Sequence, residues 1–274
     1  MRCSGNGENN MNRKNSLSAI IIAKNEAMRI ATCIDALAFC DEVLVADNGS
    51  TDETVAVSRA HGAHIAIFSM GDFAELRNAA AKRATGEWLL YVDADEVVSA
   101  PLAREIRRAI DTWSQQKPTS YRLCRTNYYL GQRWPGNERM LRLFRRTALK
   151  GWKGELHETA VTDGAIGDLP GELIHDTHRS LEEMVRKTND WSETEALLRL
   201  HAGHPSISWW RLLRVAITGF GNSYFRQGGW RAGTVGWVES IYQAFSLFIT
   251  YAKLWELQNR KSVEDTHEHE KTLI

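Results

Sequence analysis

The first hundred residues alternate between two hydrophobic patterns, and this alternation limits the chain to a small set of folds. Four apolar runs are separated by segments whose apolar residues have helical spacing. We interpret the runs as strands and the segments as helices. The predicted strands are Leu17–Ala23, 42–46, 64–68 and 87–92, and the predicted helices are 26–38, 50–61 and 72–84, the last closed by Gly86. This order predicts an α/β fold with a mostly parallel sheet and helices on both faces.

The pattern changes further along the chain of 274 residues. A helix at 101–116 and strands at 120–125 and 139–144 are predicted, followed by a glycine-rich loop and short strand at 151–168. From residue 180 onward only helices are expected, at 180–201, 206–226 and 235–259. The predicted organisation is a disordered segment 1–16, an α/β domain 17–179, an aromatic-rich helical region 180–260 and a polar tail 261–274.

Composition excludes several functional classes. The 34 Lys+Arg balance 34 Asp+Glu, whereas a dedicated nucleic-acid binder is usually basic. The four cysteines contain no CxxC pair, so neither a zinc site nor a disulfide framework is expected. The polar first 16 residues lack the apolar core of a signal peptide, which predicts a cytoplasmic protein.

Carboxylates follow three of the predicted strands. Ligands of open α/β sheets bind beyond the carboxyl ends of the strands, and these ends carry Lys24-Asn25-Glu26, Asp47-Asn48-Gly49-Ser50 and Asp93-Ala94-Asp95-Glu96. The sequence therefore predicts an acidic crevice that attracts a cation. Mg²⁺ and Mn²⁺ prefer oxygen ligands and often share them with substrate phosphates. The alternative for the Asp-Ala-Asp segment is a helix cap or a solvated turn.

The order and spacing of these motifs resemble those of family 2 glycosyltransferases with the GT-A (Rossmann-like) fold. Within that family the chain is most similar to bacterial lipopolysaccharide core glycosyltransferases. The resemblance is carried by the three strand-end motifs, the continuation Thr51-Asp52-Glu53-Thr54, Arg77-Asn78 and Gly86-Glu87-Trp88. It implies that residues 17–179 form a catalytic domain that binds a nucleotide-sugar donor, with a UDP-sugar favoured, together with a divalent cation, Mg²⁺ or Mn²⁺.

The resemblance also implies roles for particular residues. Asn25 and Glu26 would line the nucleotide pocket, and Asp47 would bond the base or ribose. Arg77 would lie beside the nucleotide and its diphosphate. Asp93 would contact the ribose or a metal-bound water, and Asp95 would ligate the metal; both are metal candidates.

An inverting sugar transfer also needs a general base near the acceptor hydroxyl. The family's His-Glu pair matches His157-Glu158, so Glu158 is the predicted base. His157 would orient it or contact the metal or diphosphate, and Glu155 is the second candidate for the base. The alternative for all three is a solvated strand edge.

Basic and aromatic residues surround this segment. Arg139, Arg142, Arg145 and Arg146 alternate along a predicted strand, so some could face the crevice and bind a diphosphate. The alternative is an exposed basic face. Trp152 is a candidate for stacking on a sugar, with core packing as the alternative.

The C-terminal helices combine aromatic residues with arginine. Apolar side chains recur at helical spacing from Trp209 to Tyr224 and again from Ile241 to Trp255. Between Ala196 and Val238 there is no Asp or Glu, yet five arginines are present. This pattern is typical of helices in the headgroup layer of an anionic membrane. The alternative is a helical subdomain buried against the sheet or another subunit.

The leading interpretation is an inverting, metal-dependent glycosyltransferase that moves a sugar, glucose from UDP-glucose being one candidate, onto a lipopolysaccharide core acceptor. It would work peripherally on the cytoplasmic face of the inner membrane. A second interpretation changes the acceptor to a polyprenyl phosphate, another surface polysaccharide or a protein. A glycoside hydrolase using Glu155 and Glu158 would leave the acidic crevice without a purpose, and a non-catalytic nucleotide-binding scaffold would not need Glu158.

Overall fold

The computed structural model describes residues 15–69, 72–154, 158–177 and 179–271, with side chains up to residue 260. Nearly all of the predicted disordered segment 1–16 therefore lies outside the described residues. The chain divides into two compact units. The first comprises Met1–Thr126 and Asn137–His175, and the second comprises Asn127–Gly136 and Asp176–Ile274.

Four parallel strands form one half of the main sheet in the first unit. They are β1 (Leu17–Ala23), β2 (Glu42–Asp47), β3 (His64–Ile67) and β4 (Trp88–Asp93), in the order β3-β2-β1-β4. Every residue of β1 is buried, as its apolar run predicts. Ala23 pairs with Asp47 and Ile22 pairs with Asp93, so the carboxyl ends of these strands meet at one edge.

Antiparallel strands extend this sheet. Its order continues from β4 through β7 (Gln132–Arg145), β6 (Ser120–Tyr129) and β10 (Ile166–Thr177) to β5 (Glu96–Val98), with β4–β7 and β10–β5 antiparallel. A separate antiparallel pair consists of β8 (Leu149–Lys153) and β9 (Thr159–Thr162). Strands β5 and β10 are not predicted from the sequence, because β5 is only three residues long and β10 contains glycine and proline.

Helices cover both faces of the sheet. These are α1 (Ile30–Asp35), α2 (Thr54–Ala60), α3 (Phe73–Arg83) and α4 (Ala100–Asp111). Alternate β1 side chains enter two cores: Leu17, Ala19 and Ile21 pack in a cluster that contains α1 and α4 residues, whereas Ile20 and Ile22 pack in one that contains α3 residues. The predicted α/β fold class is therefore confirmed.

Two predicted helix ends need correction. The first helix begins at Ile30 rather than Glu26, because residues 27–29 form a turn in which the Arg29 amide donates to the Glu26 carbonyl at 2.9 Å. Helix α3 ends in extended backbone at Ala84, and Gly86 is not its left-handed cap. A Cβ on Gly86 would lie 2.5 Å from the Ser18 nitrogen, so this glycine permits close contact with β1.

The second unit is helical after residue 180. It contains α5 (Leu181–His201), α6 (Trp209–Gly221), a π-helical turn (Asn222–Arg226), a 3₁₀ turn (Gly229–Ala232) and α7 (Gly233–Lys271). The Ser180 side chain accepts a hydrogen bond from the Glu183 amide, as the predicted capping box requires. Helix α7 extends past the predicted end at Asn259 into the polar tail. Across the described residues, none of the helices has the length and apolar content to cross a bilayer.

Candidate active site

The loops that follow β1 and β2 are bonded to each other. The Asn25 amide donates to Ser50 Oγ at 2.9 Å, and Asn25 Oδ1 accepts from the Thr51 amide at 2.8 Å. The Glu26 amide donates to Thr54 Oγ1 at 2.8 Å. Two of the predicted pocket residues, Asn25 and Glu26, therefore brace a pair of loops at the carboxyl edge of the sheet.

Asp47 closes the loop after β2. Its buried carboxylate accepts from the amides of Gly49 and Ser50 at 3.1 and 3.0 Å and from the Ser50 hydroxyl. The turn also needs Gly49 at a φ of 78°. Asp47 therefore shapes the segment that would face a nucleotide.

Two buried arginines hold the carboxylate of Asp93. Arg77 Nη2 donates to Asp93 Oδ1 at 2.9 Å, and Arg142 Nη2 donates to Asp93 Oδ2 at 2.5 Å. Arg77 is 4% exposed and Arg142 is 2% exposed. Burial would raise the pKa of the Asp93 carboxyl, but Arg142 and Arg77 together outweigh burial and hold that pKa well below its usual range.

Glu96 extends this charge network. Its carboxylate accepts from the Asp93 amide at 2.9 Å and from Arg142 Nη2 at 3.3 Å. Arg125 lies 3.4 Å from the same carboxylate. Burial raises the pKa of Glu96 against the opposing effect of Arg142. Glu96, on β5, is therefore a buried acid that shares Arg142 with Asp93.

Arg77 joins Asp93 to the predicted base. Its Nε donates to Glu158 Oε1 at 2.9 Å, and its guanidinium lies 4.8 Å from the ring of Trp152. The Arg77 carbonyl accepts a bond from the Tyr91 hydroxyl at 3.3 Å. Burial raises the pKa of Tyr91 to about 12, so this hydroxyl keeps its proton.

Trp152 is a core residue. It packs edge-on against Tyr91 and Phe144, with ring centroids 4.9 and 5.7 Å away. Asn78 bonds both its amide and its carbonyl, at 2.8 and 3.0 Å. The neighbours Arg77 and Asn78 therefore have separate tasks, since Asn78 anchors β8 to α3 while Arg77 reaches the carboxylates.

A cleft of about 390 Å³ opens over this cluster. Its described lining carries three arginines, Arg77, Arg139 and Arg142, against two carboxylates, Asp93 and Glu158. Of the three strand-end motifs that predict an acidic crevice, only the one at Asp93 lines this cleft, and the described lining is cationic on balance. The sequence prediction considered only the carboxylates at the strand ends. In the folded chain, arginines from α3 and β7 add positive charge beside them.

The other two candidate arginines, Arg145 and Arg146, bind elsewhere. Arg145 lies 3.8 Å from the Trp113 ring. Arg146 donates to the carbonyls of Ala81, Ala84 and Gly86 and so satisfies the end of α3.

The other two base-segment residues, Glu155 and His157, lie outside the described residues, whereas Glu158 lies just before β9. Glu158 is 16% exposed and contributes to the cleft lining. The structure thus brings Glu158, Arg77 and Asp93 together at one cleft.

Asp95 contacts His175 on β10. Its Oδ2 lies 3.3 Å from His175 Nε2, and both side chains are mostly buried. Among the described residues, no three His, Cys, Asp or Glu side chains converge as a self-sufficient metal cage. A carboxylate and an imidazole nevertheless fit a divalent cation whose remaining ligands are phosphate oxygens and water.

Sequence reasoning missed His175 as a site residue, and it gave Glu96 no role beyond membership of the strand-end motif. His175 lies 80 residues beyond Asp95, and only the antiparallel pairing of β10 with β5, in which His175 faces Glu96, brings it close. No local signal in the sequence marks it. Arg142 was one of four candidate arginines, and the structure distinguishes it by burial.

A cleft at the carboxyl edge of an open α/β sheet is the usual ligand site of this fold class, and the sequence family identifies the class of enzyme. Residues 18–162 match Glycosyl transferase family 2. The chain belongs to that family and is a glycosyltransferase with the GT-A fold.

Relatives cover most of the chain. It is 30% identical to the lipopolysaccharide core biosynthesis glycosyltransferase LpsC of Rhizobium meliloti (strain 1021), over 92% of this chain and 98% of that protein. It is 29% identical to a glycosyltransferase of Rickettsia prowazekii (strain Madrid E), over 88% of this chain and 87% of that one.

Among solved structures, the chain is similar to glucosyl-3-phosphoglycerate synthase from Mycobacterium tuberculosis in complex with Mn²⁺, UDP and phosphoglyceric acid. The identity is 21%, the match covers 42% of this chain and 43% of that one, and the TM-score is 0.33. That likeness spans less than half of the chain and identifies no residue of the site.

Proposed function

We propose that this glycosyltransferase moves a sugar, glucose from UDP-glucose being the leading candidate, onto a lipopolysaccharide core acceptor with inversion at the anomeric carbon. The observation that carries the proposal is the cleft at the strand ends. There Arg77 bonds the carboxylates of Asp93 and Glu158 within one cluster. The lipopolysaccharide acceptor rests on the similarity to LpsC.

Glu158 acts as the general base in this proposal. Its carboxylate accepts the proton of the acceptor hydroxyl while that oxygen attacks the anomeric carbon. The bond from the anomeric carbon to the diphosphate oxygen breaks, and the electron pair leaves with the nucleoside diphosphate. Arg77 orients Glu158 through its 2.9 Å bond, and is therefore a positioning residue.

The donor lies along the braced loops. Asn25 and Glu26 line the nucleotide pocket, and Asp47 holds the loop that contacts the base or ribose. Because Arg139 and Arg142 line the cleft with Arg77, cationic groups are available for the charge that develops on the departing diphosphate.

Asp95 and His175 would hold a divalent cation. When bound, it would supply positive charge to the diphosphate of the donor. Asp93 remains a candidate for the ribose or for metal-bound water, although both of its oxygens are already bonded to arginine.

Two experiments test the proposal. Calorimetry with UDP, GDP, ADP and CMP, with and without Mn²⁺, should show metal-dependent binding of UDP, whereas well-folded protein that binds none of them would refute the proposal. Glu158→Gln should keep nucleotide affinity but lower turnover by about 10²–10⁴-fold. Glu155→Gln is the matched control: if it alone is inactive, the base is Glu155.

Incubation of the protein with bacterial membranes and labelled UDP-glucose identifies the acceptor. Label in lipid A–core material supports the proposal, while label in polyprenyl phosphate, another polysaccharide or protein supports the second interpretation. The anomeric configuration of the product, read by NMR, should be opposite to that of the donor.

A further inference from the structure

The second unit exposes large apolar side chains on α6 and around the turn that follows it. Trp209 is 78% exposed, Ile217 is 63% exposed and Phe225 is 68% exposed. On α6, Trp209, Leu213 and Ile217 are four residues apart and therefore share one helix face. Soluble proteins rarely expose large apolar side chains together on one helix face, so this face indicates an interaction surface.

Helix α7 carries a second exposed apolar stripe. Trp237, Ile241, Phe245 and Phe248 follow helical spacing, and each is exposed. Trp237 lies 5.3 Å from the ring of Phe220 on α6. This aromatic contact joins the exposed apolar side chains of the two helices.

Arginines are interleaved with these aromatic rings. The Arg214 guanidinium lies 5.5 Å from the ring of Trp210, and that of Arg231 lies 4.9 Å from the ring of Trp230. Residues 197–238 contain five arginines and no Asp or Glu. The arginine–tryptophan surface, defined by Trp209, Leu213, Arg214, Ile217, Arg226, Trp230 and Arg231, is therefore positively charged in a chain whose formal net charge is +0.

We infer that the arginine–tryptophan surface binds the anionic face of a lipid bilayer. Apolar and indole side chains enter the boundary between headgroups and acyl chains, and the arginines bind lipid phosphates. Since no described helix can span a bilayer, the attachment is peripheral. This inference deepens the proposed function, on which it rests for a lipid-linked acceptor. A second copy of the chain would bring the same positive charge to the surface, so charge complementarity favours anionic lipid.

The test is cosedimentation of the full chain with vesicles of phosphatidylcholine, alone or with added phosphatidylglycerol. Binding should require phosphatidylglycerol and fall as salt rises. The variant R214Q/R226Q/R231Q should bind the anionic vesicles about 100-fold more weakly than the parent, because each lost arginine lowers the affinity about five-fold. The matched control R59Q/R104Q/R108Q removes as many exposed arginines from α2 and α4 and should bind like the parent.

Trp209→Ser with Trp230→Ser should weaken vesicle binding while circular dichroism stays unchanged. No binding of the parent to anionic vesicles overturns the inference, as does an equal loss in the two arginine variants. Sedimentation that shows a dimer dispersed by the tryptophan substitutions also overturns it, in favour of a second copy.

Nucleotide binding without vesicles separates this inference from the proposed function. If the protein binds UDP but not anionic vesicles, the inference about the membrane surface is refuted and the transferase proposal stands. If it binds vesicles but no nucleotide, the transferase proposal is refuted and the membrane surface stands.

Discussion

Replacing Arg142 with methionine tests whether the buried charge network is held together by its arginines. The Arg142 side chain is 3% exposed and bonds Asp93 at 2.5 Å and Glu96 at 3.3 Å. Methionine keeps much of the volume but leaves the buried carboxylate of Glu96 and the partly buried carboxylate of Asp93 with less positive charge. Breaking a buried pair by removing one partner costs about 3–5 kcal/mol.

Urea unfolding of the parent and Arg142→Met measures this cost. With an m value of about 3 kcal/mol per molar for a chain of this size, the midpoint should fall by about 1–1.7 M. Arg139→Met is the matched control on the same strand. Its guanidinium is 62% exposed and pairs with Asp168 at the surface, so the midpoint should not move.

The cost of Arg142→Met should shrink in acid. In the parent, the folded-state pKa of Asp93 lies below its unfolded value, so the stability it contributes is complete at neutral pH and is lost only as pH falls through the folded pKa. Without Arg142, the pKa values of Asp93 and Glu96 rise, and protonation relieves the buried charge. The difference in unfolding free energy between parent and variant should therefore narrow between neutral pH and about pH 4.

Two results would refute this reasoning. One is a destabilisation below about 1 kcal/mol, the value of an exposed ion pair. The other is a difference between parent and variant that does not change with pH, because the cost would then come from packing rather than from charge.

Three further predictions concern the site and the sheet. His175→Gln should lower Mn²⁺-dependent UDP affinity by about 10–100-fold in calorimetry, and an unchanged metal dependence would remove His175 from the cation site. Asp93→Asn should weaken UDP binding with or without Mn²⁺, whereas Asp95→Asn should remove only the Mn²⁺-dependent part of the UDP affinity. If the two variants lose the Mn²⁺-dependent affinity equally, Asp93 is a direct metal ligand. Gly86→Ala should destabilise the sheet by about 1–3 kcal/mol, because its Cβ would lie 2.5 Å from a backbone nitrogen of β1. Gly221→Ala, with open space around it, should not lower the thermal midpoint.

The parallel half of the sheet was predictable because each strand is encoded by its own residues. The run Leu17–Ala23 is apolar except for Ser18, and its strand is buried on both faces with the predicted bounds. Burial of a parallel strand on both faces follows from its own apolar residues and from the helices adjacent to it in the sequence, which cover the sheet. The antiparallel half depends on pairings between distant segments, and β10 has no comparable apolar run.

The charge of the site was predictable only in part for the same reason. Glu26, Asp47 and Asp93 follow strands, so their common edge could be deduced from topology. Arg142 comes from a strand that pairs antiparallel with β4, and Arg77 comes from α3, where only the family resemblance placed it at the site. Which arginines turn inward is decided by packing that sequence spacing does not record.

The two aspartates of the Asp-Ala-Asp segment therefore have different surroundings despite their proximity in sequence. Asp93 ends β4 and lies between Arg77 and Arg142, where it holds two guanidinium groups beside a cleft whose described lining is cationic on balance. Asp95 lies in the following turn, 3.3 Å from His175. A diphosphate needs positive charge from more than one direction, and arginines and a cation are two separate sources of it. The geometry supports a division in which the first aspartate orders the arginines and the second serves the cation.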